Sequence, residues 1–135
     1  MGKYTVFIGY DDREPLMYEV LRHSILHNTE GEVDVFPLKH EELRKLNIFS
    51  HVFSYDPYGK LFNAKDVKQE FIANRWKYYM YTRTRFYLPL LCKKKGIKGQ
   101  VLYLDPNFLC LPNTDIRHLF QWAKLNNEIV SVSKR

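Results

Sequence analysis

Short β-forming runs recur along this chain with helix-like stretches between them, and that alternation most constrains the fold. YTVFIG, residues 4–9, is rich in β-branched and aromatic residues and reads as a strand. Pro15 suits a first helical turn, with Asp11 or Asp12 as the expected cap. Leu16, Val20, Leu21 and Ile25 mark one face of a helix over about residues 15–28. VDVFPL, residues 33–38, is a second strand, and HEELRKLN a short polar helix over about residues 40–47. The stretch 50–65 carries Asp-Pro and Tyr-Gly turn signals and reads as a loop; part of the aromatic stretch 66–80 reads as helix.

TRTRFYLPLLCKKKG, residues 82–96, predicts a helix that Pro89 kinks or leaves loose at its start, with Gly96 as its stop. QVLYLD is a third strand. NTDIRHLFQWAK predicts a short helix capped by Asn113 or Thr114, and EIVSVS a fourth strand. This order predicts one α/β domain over residues 1–135, a largely parallel sheet flanked by helices. Such sheets bind ligands at the carboxyl ends of their strands.

Three polar stretches carry chemistry. In IGYDDRE, Gly9 allows close backbone approach, Tyr10 can stack on a base, and Asp11 can accept hydrogen bonds from a base or ribose. The bland alternative is a β–α turn with a carboxylate cap. Neither GxGxxG nor GxxxxGK[ST] occurs, which argues against dinucleotide and P-loop sites. In TRTRF, Arg83 and Arg85 stand near a helix start, against the dipole preference, and call for a compensating phosphate or carboxylate. An internal salt bridge, for example to Asp105, is the alternative. In VLYLDPNFLC, Asp105 ends a strand and Asn107 stands where a second carboxylate would complete an i, i+2 chelate for a hard cation. Asn107 has the oxygen but not the charge, so cation binding is expected to be weakened.

Other features are read as structural. Cys92 and Cys110 lack metal-ligand spacing and are expected to be buried, reduced thiols. His23 and His27 have i, i+4 spacing without an intervening HExxH glutamate and are expected at the surface or in packing. No apolar run approaches the roughly 18 residues a membrane span needs, and no secretory signal pattern stands at the start, so a cytoplasmic protein is expected. Lysine plus arginine exceed acids 21 to 15, a net charge of +6 that favours anionic partners.

Taken in order, IGYDDREPLMYEVLRHSIL and TRTRFYLPLLCKKKGIKGQVLYLDPNFLCLPNTDIRHLF resemble nucleotide-sugar glycosyltransferases of the GT-A fold. The nearest type is the glycogenin- and galactosyltransferase-like group with its bacterial and phage relatives. The resemblance implies a Rossmann-like sheet and a nucleotide-sugar donor, UDP-linked, acting with an unknown acceptor. It implies that Gly9, Tyr10 and Asp11 contact the nucleoside and Arg85 the sugar or diphosphate. Asp105 becomes the first residue of a DxD motif, and Asn107 takes its principal metal position. Mn2+ or Mg2+ would bridge the donor phosphates. No residue is assigned as catalytic. The chain stops after about four strands, short for such enzymes, so the expectation is a donor-binding portion whose exposed sheet edge favours self-association. A catalytically silent nucleotide-sugar-binding module is one alternative. A basic α/β nucleic-acid-binding protein using Trp76, Tyr78 and Tyr79 is another.

Overall fold

The structure is a computed structural model and describes residues 4–48 and 84–126. The expected loop at 50–65, the aromatic helix within 66–80 and the fourth strand lie outside the described residues.

Three strands form a small parallel sheet in an α/β arrangement flanked by helices: β1 (Tyr4–Gly9), β2 (Val33–Leu38) and β3 (Val101–Leu104), in the order β2-β1-β3. Strand β1 pairs in parallel with β3, with Thr5 opposite Val101 and Ile8 opposite Leu104. As the middle strand, β1 is buried from Thr5 through Gly9. That explains its near-continuous apolar sequence, since a central parallel strand is covered on both faces.

The chain divides into two compact units. The first holds the chain up to Ile8, Glu14–Pro37 and the chain from Gly99 on. It contains helix α1 (Pro15–Asn28), which buries Tyr18, Leu21, Ser24 and Ile25. Leu16 and Val20 were expected on that face but are exposed, at 72% and 49%. The buried stripe runs through Tyr18 and Ser24, because a 3.6-residue period starting at Leu21 and Ile25 returns to those positions. Phe7 packs against Phe36 of β2 with ring centroids 5.5 Å apart. Tyr4 meets Phe120, centroids 5.0 Å apart, from the last described helix (Arg117–Asn126).

A polar clamp ties α1 to the chain beyond β3. The Cys110 N–H donates to Ser24 Oγ at 3.1 Å, and Asn28 Nδ2 donates to the Cys110 carbonyl at 3.3 Å. Ser24 in turn donates to the Leu21 carbonyl at 2.8 Å. A serine inside a helix is usually a liability. Here its hydroxyl satisfies a buried backbone donor that has left its strand.

The last helix starts later than expected, and neither Asn113 nor Thr114 caps it with a side-chain bond. Asn113 adopts a left-handed backbone, φ 65°. Asp115 does the capping: its Oδ1 accepts from the Arg117 N–H at 2.9 Å, and its carboxylate pairs with the Arg117 guanidinium at 2.6 Å. Glu30 adds a longer contact to Arg117 at 3.8 Å. These bonds hold the Asp115 carboxyl well down, at about 2, the Arg117 side chain being the largest cause.

The second unit holds Gly9–Arg13 and Leu38–Lys98. Its helix α2 (His40–Lys45) closes through Asn47 in the left-handed region, φ 54°, with Ile48 N–H bonded to Leu43 O at 2.9 Å. A 3-10 turn, Thr84–Tyr87, leads into helix α3 (Leu88–Lys95). Pro89 therefore sits in the first turn of α3, where its missing N–H has no partner to lose, and no interior kink is needed. Gly96, φ 69°, ends α3 as expected, with Ile97 N–H on Cys92 O at 2.9 Å. Lys94 donates to the Leu46 carbonyl and Lys95 pairs with Glu42. Part of the lysine run is thus used in packing α3 beside α2. Cys92 and Cys110 are both buried free thiols, as expected, and burial pushes both thiols up. Among the described residues no helix is long and apolar enough to cross a membrane.

Two outcomes test these contacts. Ser24→Ala leaves the Cys110 N–H buried without a partner and should lower unfolding free energy by about 1–2 kcal/mol, read by urea denaturation. The Asp115 carboxyl is lower in the folded than in the unfolded chain. Its stabilisation is therefore present above pH 4 and lost as pH falls towards 2. Asp115→Asn should flatten the acid limb of a pH–stability curve in that window and leave the curve above pH 5 parallel to the parent.

Candidate functional site

The first candidate segment leaves the end of the central strand. After Gly9 the chain forms a tight turn in which Asp11 Oδ1 accepts from the Arg13 backbone N–H at 2.9 Å. The Arg13 guanidinium also grips both Asp11 oxygens, Nε to Oδ1 at 2.9 Å and Nη2 to Oδ2 at 2.6 Å. This corrects the expectation of Asp11 or Asp12 as the cap of α1. Glu14 occupies the cap position without a side-chain bond, and Pro15 starts the helix. Asp11 is taken by Arg13 because a bidentate charge-assisted pair is stronger than one neutral N–H. A ligand contact by Asp11 would use the lone pairs that remain or would displace Arg13.

Tyr10 is half-buried, and the Lys39 ammonium lies 4.7 Å from its ring centroid. Lys39 is exposed and directly follows β2. Its backbone is fixed as the start of α2, with Glu42 N–H on its carbonyl at 3.2 Å. A cation over an aromatic face at an exposed site contributes about 0.5–1 kcal/mol. The sequence offered no signal for this pair, since Lys39 precedes a helix and lies far along the chain from Tyr10.

The second candidate segment follows β3. Asp105-Pro106-Asn107-Phe108 is a turn closed by Phe108 N–H on the Asp105 carbonyl at 3.3 Å. Tyr103 donates its hydroxyl to Asp105 Oδ1 at 3.0 Å, which orients the carboxylate. Asp105 is half-buried and Asn107 exposed. Downstream, the Ser24–Cys110 bond anchors the same segment. Ile8 and Leu104 are the last paired residues of the parallel β1–β3 ladder. Gly9, which ends β1, and Asp105, the first residue after β3, are the next residues in sequence.

As a cation site, Asp105 and Asn107 offer hard oxygen donors, one charged and one neutral. That set suits Mg2+ or Mn2+ only as a partial shell completed by other oxygens, such as phosphates and water. Among the described residues no group of three or more His, Cys, Asp or Glu side chains could hold a metal ion.

Arg85 lies in the 3-10 turn before α3, half-buried, with its guanidinium carbon 5.8 Å from the Phe86 ring centroid. Phe86 is 75% exposed. Arg83 lies outside the described residues. His23 and His27 are exposed on α1 with rings stacked 5.9 Å apart, in keeping with a surface role.

Comparison with known proteins adds little. No protein-family profile matches the chain, and no solved structure matches it. A stretch of 46 residues, 34% of the chain, is 37% identical to Protein CDI of Arabidopsis thaliana and covers 18% of that protein. The chain thus spans under a fifth of the length of this curated relative, whose name states no activity.

Proposed function

We propose that this chain carries the donor-binding part of a nucleotide-sugar glycosyltransferase of GT-A type, acting on a UDP-linked donor. One observation carries the reading: β1 and β3 are parallel neighbours in register, Ile8 opposite Leu104. Tyr10 and Asp11 follow the first strand, which ends at Gly9, and an Asp-Pro-Asn turn follows the second. Ligands of open α/β sheets bind outside such carboxyl ends.

In this reading Gly9 and Tyr10 receive the nucleoside and Asp11 hydrogen-bonds it. Arg85 contacts sugar or diphosphate. Asp105, oriented by Tyr103, holds Mn2+ or Mg2+ with Asn107 as a neutral partner. When bound, such an ion acts as a Lewis acid on the departing diphosphate. The transfer itself draws on acceptor-binding residues not assigned to this chain. A cytoplasmic setting belongs to the same proposal and suits two free thiols. Asn107 also favours a second reading, a module that binds the donor without transferring its sugar.

Calorimetric titration with UDP, with and without Mn2+, tests the binding step. UDP should bind, with only a small gain from Mn2+. Asn107→Asp restores the missing charge and should raise the Mn2+-dependent gain by about tenfold or more, a change of roughly 1.4 kcal/mol. An unchanged Mn2+ response in that variant counts against the ion position. Asp11→Asn removes an exposed ion pair and should alter folding stability by less than about 1 kcal/mol. A larger loss of UDP affinity therefore reports a ligand contact. Incubation with UDP-sugars and scoring of released UDP separates a transferase from a binder.

A further inference from the structure

We propose that His23 and His27 form a two-imidazole chelate on the exposed face of α1 for a borderline divalent cation of the Zn2+ type. The site lies within the first unit and does not depend on the nucleotide reading.

Residues four apart on an α-helix are neighbours on one face, with about 5–6 Å between their Cβ atoms. His23 and His27 hold such positions in α1, which runs Pro15–Asn28. Their ring centroids lie 5.9 Å apart, and the two planes are inclined by only 15°. Both side chains are exposed. Among the described residues neither imidazole has a hydrogen-bond or ion-pair partner, and its one recorded neighbour is the other ring. The helix backbone thus already holds two unpaired nitrogen ligands side by side. An ion between them asks only for rotation of two exposed side chains.

Ligand chemistry chooses the ion. Neutral imidazole suits Zn2+, Cu2+ and Ni2+, whereas Mg2+ and Mn2+ prefer carboxylate, carbonyl and water oxygens. The histidine pair therefore takes a different class of ion from the Asp105–Asn107 oxygens. His27 lies in the last turn of α1. There the helix dipole presents its negative end, which favours a bound cation. Among the described residues no third His, Cys, Asp or Glu side chain joins the pair. The other coordination positions fall to water, so the ion is exchangeable, unlike that of a closed four-ligand structural centre. A ligand that prefers the folded helix to the unfolded chain stabilises the fold according to its occupancy.

The test titrates Zn2+ into the metal-free protein by calorimetry and follows the histidine Hε1 resonances by NMR. His23→Gln and His27→Gln each delete one resonance and so assign the pair. Zn2+ should shift both assigned resonances in the parent protein, and Mg2+ should leave them unmoved. Either substitution should weaken Zn2+ binding by about tenfold or more, because one imidazole then acts without its chelate partner. Both side chains are exposed, and matching thermal midpoints without metal verify that the variants fold. Parent-like Zn2+ affinity in either variant overturns the inference and assigns the ion to other ligands. Saturation with Zn2+ that leaves the two resonances unmoved also overturns it, as does a parent protein that binds no Zn2+.

Discussion

The pairing of β1 with β3 is the constraint on which the rest depends. A parallel pair cannot be closed by a hairpin, so a long crossover must separate its strands in sequence. Register then matters more than contact. Sliding β3 by one residue would turn each of its side chains to the opposite face. Val6, Phe7 and Ile8 are essentially inaccessible to water. Burial of the middle strand from both sides fixes which backbone positions lie last in the ladder, and so which polar residues emerge beyond it.

What emerges is then held by polar bonds. The segment after β3 exposes Phe108, Leu109 and Leu111, so little apolar burial restrains those residues. Ser24 and Asn28 take both backbone groups of Cys110, and Asp115 organises the start of the following helix. Between the end of β3 and Cys110 the chain has room only for the Asp-Pro-Asn turn and two more residues. Proline narrows the turn's conformations before folding, and the clamp fixes where it ends. The carboxylate of Asp105 is steadied by Tyr103 from within the strand.

Legibility in the sequence followed the range of the interactions. β1, α1 and β2 were readable almost to the residue because local signals mark them: β-branched runs and Pro15. Gly96 was readable as a stop because a left-handed cap suits glycine. Errors arose where two local signals competed or a distant partner decided. Pro89 and the threonines before it suggested one long helix, yet a 3-10 turn takes the first four described residues. Asp115 outcompeted Asn113 and Thr114 because it binds both the Arg117 backbone and guanidinium. Leu16 and Val20 are apolar, but the partner surface for α1 lies along Tyr18 and Ser24. The candidate turns were legible as motifs. The captures of Asp11 by Arg13 and of Tyr10 by Lys39 were not, the first because two acids and an arginine allow several pairings, the second because it spans 29 positions of sequence.

In the proposed function a metal ion would perform two tasks together, holding the donor and driving off its diphosphate. Holding a diphosphate needs positive charge near its oxygens, and in that reading Arg85 would supply part of it at any metal concentration. Driving off a diphosphate needs charge on the oxygen that departs, and a divalent ion does this better because it carries two charges at contact distance. With Asn107 at the proposed metal position in place of a carboxylate, the ion would be favoured less, whereas an arginine is covalently part of the chain. Under the proposed function, affinity for the donor would depend less on metal than the rate of sugar transfer would. In that reading Asn107 would uncouple binding from chemistry, and the chain would retain a donor site while contributing little to transfer.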